Sequence, residues 1–111
     1  SDLDEALARI ADLRRRWSAV RIEGPRTFNP GFDLVTELRN MLIVSEAVTR
    51  AARMRTESRG AHSRLDHPRT DRTWERKNVV VTPGEEGMRV STAPTVEIPD
   101  ELLELIDPVK A

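Results

Sequence analysis

The segment 30–58 is predicted to form a helix that carries more apolar surface than one neighbouring helix can cover. Its apolar residues fall on two faces of a helical repeat, namely Leu34, Leu38, Met41, Leu42, Val48 and Ala52 on one face and Val35, Ile43, Val44, Ala47, Ala51 and Met54 on the other. A hairpin of two helices would leave part of this surface in water, and an exposed apolar patch of that kind marks an interface. Either the downstream segments fold back on this helix, or another stretch of chain covers it.

Three further elements are predicted from the residues on either side of this helix. Residues 1–22 carry a one-sided apolar stripe at helical spacing and are predicted to form a first helix. Residues 78–92 contain two short β-branched or alternating runs around a Pro- and Gly-containing turn, which is typical of a β-hairpin. Residues 99–106 are acidic and leucine-rich and are predicted to form a short C-terminal helix. A length of 111 residues is enough for one small domain.

The composition describes a chain with a modest core. Charged residues make up 33% and hydrophobic residues 38%, and no apolar run approaches the length of a membrane span. The N-terminus lacks the basic and then apolar pattern of a secretion signal. The sequence contains no cysteine, which excludes a disulfide scaffold or a thiolate metal site within these residues.

Positive charge is concentrated between residues 50 and 77. This segment holds nine cations and four acids, a net charge of +5, so the remaining residues carry −6. A basic segment raises nucleic-acid binding as a hypothesis. However, the acids are interleaved with the arginines, the pI is about 6.1, and no motif that binds nucleic acids is present. We therefore expect ion pairs within the chain or towards another subunit, and no nucleic-acid partner.

The same segment holds a dense group of polar side chains at the predicted helix end and in the loop 59–77. The candidate functional residues are Arg55, Glu57, Ser58, Arg59, Gly60, His62, Arg64, Asp66, Asp71 and Trp74. The simplest interpretation is a capped helix end with solvated charges, in which Gly60 is the left-handed helix stop. No supporting motif surrounds Ser58 as a nucleophile, and His62, His67 and Asp66 lack the spacing of metal ligands. No catalytic, cofactor-binding or metal-binding residue is therefore predicted.

The order of these residues resembles a family signature. The pattern R-x-E-S-R-G-A-H-x-R-x-D-x-P-x-x-D-x-x-W runs from Arg55 to Trp74. It closely resembles the signature in the C-terminal region of the flavoprotein subunit of succinate dehydrogenase and fumarate reductase, and more loosely that of L-aspartate oxidase. Residues 28–32 and 38–42 are similar to the start of the family's long helix, and residues 78–95 lie where the family has its terminal strands.

The resemblance implies a mainly α fold. We expect residues 1–111 to form a single C-terminal helical domain of a larger flavoprotein. The expected fold is a spectrin-repeat-like helical bundle with two long antiparallel helices, a small β-hairpin and a short C-terminal helix. In the family a further bundle helix would lie just before Ser1, where it could cover the open face of the helix 30–58. Cover by the C-terminal residues is the alternative.

The resemblance also implies an enzyme. Members of the family interconvert succinate and fumarate through FAD and pass electrons to an iron–sulfur subunit, then to a membrane quinone. Their flavin-binding and substrate-binding residues lie in upstream domains, and this sequence has no G-x-G-x-x-G motif after a strand. The fragment alone is therefore expected to be inactive and to bind no cofactor, with FAD in the full-length protein. Its expected location is the cytoplasm, or the cytoplasmic face of the membrane within a complex.

The expected partners are the upstream flavin-binding domain of the same chain and the iron–sulfur subunit, and the isolated fragment could form a homodimer. Two other functions stay open, a stand-alone helical protein-interaction module and the C-terminal domain of an L-aspartate oxidase. The long helix that contains Asn40-Met41-Leu42, the D-x-x-W after the signature and the strand-like tail favour the succinate dehydrogenase and fumarate reductase branch.

Overall fold

Two helices of unequal length form the first half of the fold. A computed structural model describes residues 1–85 and 87–102 of the chain. Helix α1 comprises Asp2–Ser18, helix α2 comprises Pro30–Met54, and a short 3₁₀ helix follows at Arg72–Trp74. Helix α1 is thus shorter than the predicted range 1–22, and α2 ends four residues before the predicted end of the range 30–58.

A β-hairpin forms the second half. Strands β1 (Lys77–Gly84) and β2 (Gly87–Pro94) pair antiparallel, and both contact α2. Each strand has eight residues, so the hairpin extends beyond the predicted range 78–92 at both ends. Residues 100–102 are helical, and the rest of the predicted helix 99–106 lies outside the described residues.

The ends of α2 are set by local chemistry. The side chain of Asn29 accepts a hydrogen bond from the backbone N–H of Gly31 at 3.0 Å, and Pro30 occupies the first helical position, where its missing N–H costs nothing. At the other end Arg55 has an extended backbone (φ −78°, ψ 101°). The helix therefore ends at Met54, and the residues from Arg55 onward are free to form the irregular segment that carries the signature.

Helix α1 is joined to α2 largely through polar groups. The contacts run from the start of α1 against the end of α2 to the end of α1 against the start of α2. They are Arg53 Nε with Asp4 Oδ1 at 2.8 Å, Arg14 with the buried Glu46, and Trp17 Nε1 with the carbonyl oxygen of Val35 at 2.8 Å. Glu46 is buried and loses hydration, and the half-exposed pair of Arg53 and Asp4 is screened by water, so these ion pairs fix the register of the helices more than they add stability.

The expected mainly α, spectrin-repeat-like bundle is wrong. Beside helices of 17 and 25 residues, a hairpin of two eight-residue strands makes the fold a mixed one. Among the described residues Leu42 is the single buried hydrophobic side chain, so two helices do not enclose a bundle core. The radius of gyration is 19.9 Å, whereas a compact domain of this length has about 13 Å. The bundle was expected from the family resemblance, but within the described residues no third long helix lies beside α1 and α2.

One face of α2 is open instead. Leu34, Met41, Val44 and Val48 are between 61% and 64% exposed, and we call these four side chains the α2 stripe. Within the described ranges, no helix is long and apolar enough to cross a membrane. Exposed apolar patches of this kind are typical of surfaces that contact another protein segment.

Replacement of Leu42 by Ala should destabilise the fold by about 2 to 5 kcal/mol, because it removes a buried side chain and leaves a cavity. The matched control is Leu34→Ala on the exposed stripe, for which we expect a loss below about 1 kcal/mol. Urea unfolding followed by the fluorescence of the two tryptophans, Trp17 and Trp74, measures both free energies. Equal losses for the two variants would show that Leu42 does not act as the core.

Candidate functional site

The carboxylate of Glu57 is the centre of the signature segment. This side chain is completely buried, with 0% relative exposure. Arg59 binds it through two bonds, from Nε to Oε1 at 2.9 Å and from Nη2 to Oε2 at 3.1 Å, and Arg55 Nη1 donates to Oε1 at 2.5 Å. The backbone N–H of Asp71 donates to Oε2 at 2.8 Å. We call Arg55, Glu57, Arg59 and Asp71 the Glu57 cluster.

The backbone path of the signature explains why these groups meet. After α2 has ended, Arg55 has an extended backbone and the chain bends at Glu57, and this path brings Arg55 and Arg59 to the Glu57 carboxylate from either side along the sequence. The two arginines also bind backbone carbonyl groups that lie later in the sequence. Arg55 Nη2 donates to the carbonyl oxygen of Lys77 at 2.7 Å, and Arg59 Nη2 donates to that of Asp71 at 3.3 Å. The cluster thus ties the end of α2 to the start of β1.

The surroundings keep Glu57 ionised. Hydrogen bonds from Arg59 lower the pKa of this carboxyl to about 2, against the opposing effect of its burial, and the bonds from the Asp71 N–H and from Arg55 act in the same direction as Arg59. The same contact with Glu57 raises the pKa of Arg59. The cluster is therefore a charged group in which two cations share one carboxylate.

A buried cation, Arg64, binds the carbonyl groups at the end of α2. Its side chain is 8% exposed, and its Nη1 donates to the carbonyl oxygens of Ala52, Arg53 and Arg55 at 3.2, 2.8 and 3.1 Å. The last carbonyl groups of a helix lack partners within the helix, and a cation there also interacts favourably with the helix dipole. Arg64 is thus a side-chain cap that comes from a residue far beyond the helix.

Asp66 holds Arg64 in place. Nε and Nη2 of Arg64 bind the two carboxylate oxygens of Asp66 at 2.9 and 2.5 Å, a bidentate pair. These hydrogen bonds lower the pKa of Asp66 to about 2. His67 Nε2 lies 3.9 Å from the same carboxylate. Across residues 1–85 and 87–102, no group of three His, Asp or Glu side chains could hold a metal ion.

Ser58, Gly60 and His62 shape the turn between the buried Glu57 and the buried Arg64. The hydroxyl of Ser58 donates to the carbonyl oxygen of His67 at 2.7 Å and accepts from the backbone N–H of Arg64 at 2.9 Å. Arg59 and His62 exchange two backbone hydrogen bonds across a tight turn in which Gly60 has φ +57°. Gly60 is therefore a turn residue and not the expected stop of α2, because the helix has already ended at Met54.

Asp71 and Trp74 close the segment. The Asp71 carboxylate accepts from the N–H of Thr73 at 2.8 Å and so caps the 3₁₀ helix. Trp74 Nε1 donates to Thr56 Oγ1 at 3.2 Å, and the guanidinium carbon of Arg55 lies 5.1 Å from the centre of the indole ring. His62 Nε2 lies 3.2 Å from the carbonyl oxygen of Arg55, an acceptor that it shares with Arg64.

The structure thus brings all ten candidate residues into one connected segment, although in two centres, one at Glu57 and one at Arg64. Sequence analysis missed the carbonyl groups at the end of α2 as partners of Arg64, and it missed Lys77, whose carbonyl and side chain both contact the segment. A pattern of residue types does not reveal which backbone carbonyl groups a distant side chain meets. The signal for Lys77 was its place directly after the signature.

The chain is similar to known flavoproteins. The family described as "Fumarate reductase flavoprotein C-term" matches residues 1–104. The solved structure of Mycobacterium smegmatis Sdh1 in complex with UQ1 has a TM-score of 0.76 and 39% sequence identity, over 97% of this chain and 19% of that one. The succinate dehydrogenase flavoprotein subunit of Coxiella burnetii is 37% identical over 84 residues, which are 74% of this chain and 14% of the relative.

An L-aspartate oxidase is similar to the same degree. The enzyme of Streptomyces coelicolor is 37% identical over 100 residues, which are 86% of this chain and 17% of the relative. The chain therefore spans only 14% to 17% of the length of these two curated relatives. Both are 37% identical to it, so identity does not separate the two enzyme classes.

Replacement of Gly60 by Ala should cost about 1 to 2 kcal/mol, because a side chain disfavours the left-handed backbone. A Cβ atom at Gly60 would meet nothing within 4 Å, so the loss comes from backbone conformation and not from a clash. The control is Gly60→Asn, since Asn tolerates this conformation better and should lose less. Urea unfolding measures both. An Ala variant as stable as the parent would show that the turn does not need its positive φ.

Replacement of Glu57 by Gln should make the chain less stable at neutral pH, with a smaller difference in acid. The pKa of Glu57 falls on folding from 4.5 to about 2, so its ionised form stabilises the fold above pH 4.5. That contribution is lost as the pH falls through about 2. Unfolding free energies of parent and variant across this range test the expectation. Asp66 is present in both proteins and cancels from the difference, and a difference that is constant with pH would contradict the assignment.

Proposed function

This chain belongs to the family described as the C-terminal part of the fumarate reductase flavoprotein, and we propose that the protein containing it interconverts succinate and fumarate through FAD. The family is one of oxidoreductases, and its relatives include an FAD-dependent oxidoreductase and fumarate reductase flavoprotein subunits. Within that protein we assign these residues a packing role. They hold the C-terminal domain in the shape that its neighbours require.

The packing role is supported by the complete burial of Glu57, which receives four hydrogen bonds from three residues. A carboxylate enclosed by these donors is inaccessible to substrate, and its low pKa makes it a poor proton acceptor at neutral pH. The hydroxyl of Ser58 is likewise engaged with backbone groups on both sides. The polar density of the signature is thus used to fold the segment, which supports a structural role in preference to a catalytic one.

Among the described residues, those of the signature do not fit as a flavin site. The guanidinium groups that could bind the diphosphate of FAD are bound to other partners, Arg55 and Arg59 to Glu57 and Arg64 to Asp66 and to backbone carbonyl groups. The Gly60 turn is closed by the backbone bonds between Arg59 and His62. We therefore assign FAD, the substrate and the chemistry to other parts of the full-length protein.

The α2 stripe supports the second half of the proposal, that this domain packs against other chain segments. Its four apolar side chains are more than half exposed, which is unfavourable in water and is removed by contact. We propose that the main partner is the upstream flavin-binding domain of the same polypeptide and that the second partner is the iron–sulfur subunit. An assembly of this kind would lie in the cytoplasm or at the cytoplasmic face of a membrane.

An L-aspartate oxidase is the alternative, because the similarity to the Streptomyces coelicolor enzyme extends over 86% of this chain. Assays on the full-length protein distinguish the two functions. A flavin in the purified protein that is reduced by succinate, or reoxidised by fumarate, supports the main proposal. Reduction by L-aspartate without reduction by succinate supports the alternative.

Replacement of Arg59 by Ala in the full-length protein should lower flavin retention or the assembly of the complex several-fold. The change removes the bidentate partner of Glu57 and leaves that buried carboxylate with fewer donors. Flavin absorbance per polypeptide and the size of the purified complex measure the effect. The control is Arg16→Ala, since Arg16 lies exposed on α1 and forms no ion pair with a described residue. A fully flavinated, correctly assembled Arg59→Ala protein of unchanged stability would exclude this role for the cluster.

A further inference from the structure

A second surface of the signature segment faces outward. The ring of Trp74 has the guanidinium carbon of Arg55 at 5.1 Å and Lys77 Nζ at 5.8 Å from its centre. Arg72 and Arg76, two residues to either side of Trp74, are exposed. We call Arg72, Trp74, Arg76 and Lys77 the Trp74 surface, and Arg55, whose guanidinium is bound to Glu57 and to the carbonyl oxygen of Lys77, supports it.

This surface has positive charge that the described part of the chain does not neutralise. Arg72, Arg76 and Lys77 form no ion pair with a described residue. Lys77 lies near the ring of Trp74, and the exposed Arg72 and Arg76 are its neighbours along the chain. Unpaired cations attract carboxylates, and Arg in particular offers a planar fork that matches them.

The surface is also held in shape before any partner binds. Arg55 is fixed by its bonds to Glu57 and to the carbonyl oxygen of Lys77, and Trp74 is fixed by the bond from its indole N–H to Thr56. Groups ordered by the fold lose less entropy on binding than free side chains do. The buried Glu57 cluster thus acts as the support of an exposed recognition surface.

We propose that the Trp74 surface binds a carboxylate-bearing segment from the remainder of the same polypeptide. This inference rests on the proposed function, since it names the chemistry through which the C-terminal domain meets its neighbour. Separate carboxylates fit better than a continuous polyanion such as a nucleic acid, because Asp71 and Glu75 lie among the cations and would repel an unbroken row of phosphates.

A binding segment in the same polypeptide is favoured over a separate protein because covalent linkage raises its effective concentration. The chain spans 14% to 19% of the length of the relatives it matches, and on the proposed function the remaining length belongs to the same polypeptide. A linked segment has an effective concentration in the millimolar range, and weak ion pairs are then sufficient for binding. A surface salt bridge of modest strength would be ineffective between separate molecules at cellular concentrations.

Lys77 allows a direct test in the full-length protein, because Lys77 and Lys110 are the two lysines of this sequence. A carbodiimide joins an amine to a carboxylate in van der Waals contact without a spacer, and mass spectrometry identifies the linked peptides. We expect the peptide that contains Lys77 to be joined to an Asp or Glu located before residue 1 of this sequence in the full-length chain.

Two variants serve as controls for this cross-link. Lys77→Arg keeps the charge and removes the amine, so the cross-link should disappear while the protein stays assembled. Arg72→Ala combined with Arg76→Ala keeps the amine and removes two of the cations, so the yield of the Lys77 cross-link should fall several-fold. Links formed through Lys110 should be unchanged in both variants.

The proposal is overturned if Lys77 is joined only to Asp71 or Glu75, if it is joined to a different polypeptide, or if it stays unmodified while other lysines react. It is also overturned if the yield is unaffected by the loss of Arg72 and Arg76. These results are separate from the test of the proposed function. For example, an Arg59→Ala protein could retain its full flavin content and form the Lys77 cross-link normally. That result would contradict the structural role of Arg59 and would support the Trp74 surface as a binding surface.

Discussion

The fold depends on a carboxylate that is removed from water. Glu57 has no exposed surface, yet it is ionised, and it receives hydrogen bonds from Arg55, Arg59 and the backbone of Asp71. Isolated burial of such a charge would be prohibitively costly, so the charge is tolerated only while all of these donors are in place. That requirement couples the end of α2, the Gly60 turn and the start of β1 into one unit. None of the three can move without weakening the others.

Charged groups take the place of a hydrophobic core in this chain. Among the described residues the buried side chains are Leu42, Glu46, Glu57 and Arg64, and three of these four are ionisable. Buried ion pairs add little net stability compared with apolar packing, but they discriminate strongly against wrong arrangements, since a misplaced partner leaves a charge unpaired. A segment built in this way has a defined shape and a modest stability of its own. It therefore suits a domain that is stabilised further by neighbours.

The sequence predicts local features of this structure better than distant ones. The hairpin follows from two-residue alternation around a Gly-containing turn, and the grouping of Arg55, Glu57 and Arg59 follows from their order in the signature. The bond from Arg64 to the carbonyl groups of α2 does not, because it joins backbone atoms to a side chain about ten residues later and leaves no periodic signal. The bundle prediction was wrong because it was made from the family resemblance, and the apolar face of α2 does not by itself identify the segment that covers it.

The Trp74 surface and the α2 stripe are both present because α2 ends at Met54. If α2 continued to residue 58 as predicted, the side chain of Glu57 would point away from Arg55 and Arg59, because residues two apart lie on opposite sides of a helix. Ending the helix at Met54 places Arg55 between the buried carboxylate and the ring of Trp74, while α2 still presents its apolar stripe. An apolar stripe provides area but little orientation, and paired charges provide orientation but little area. The combination of both on one small domain is what is needed to bind a neighbour in a single, fixed position.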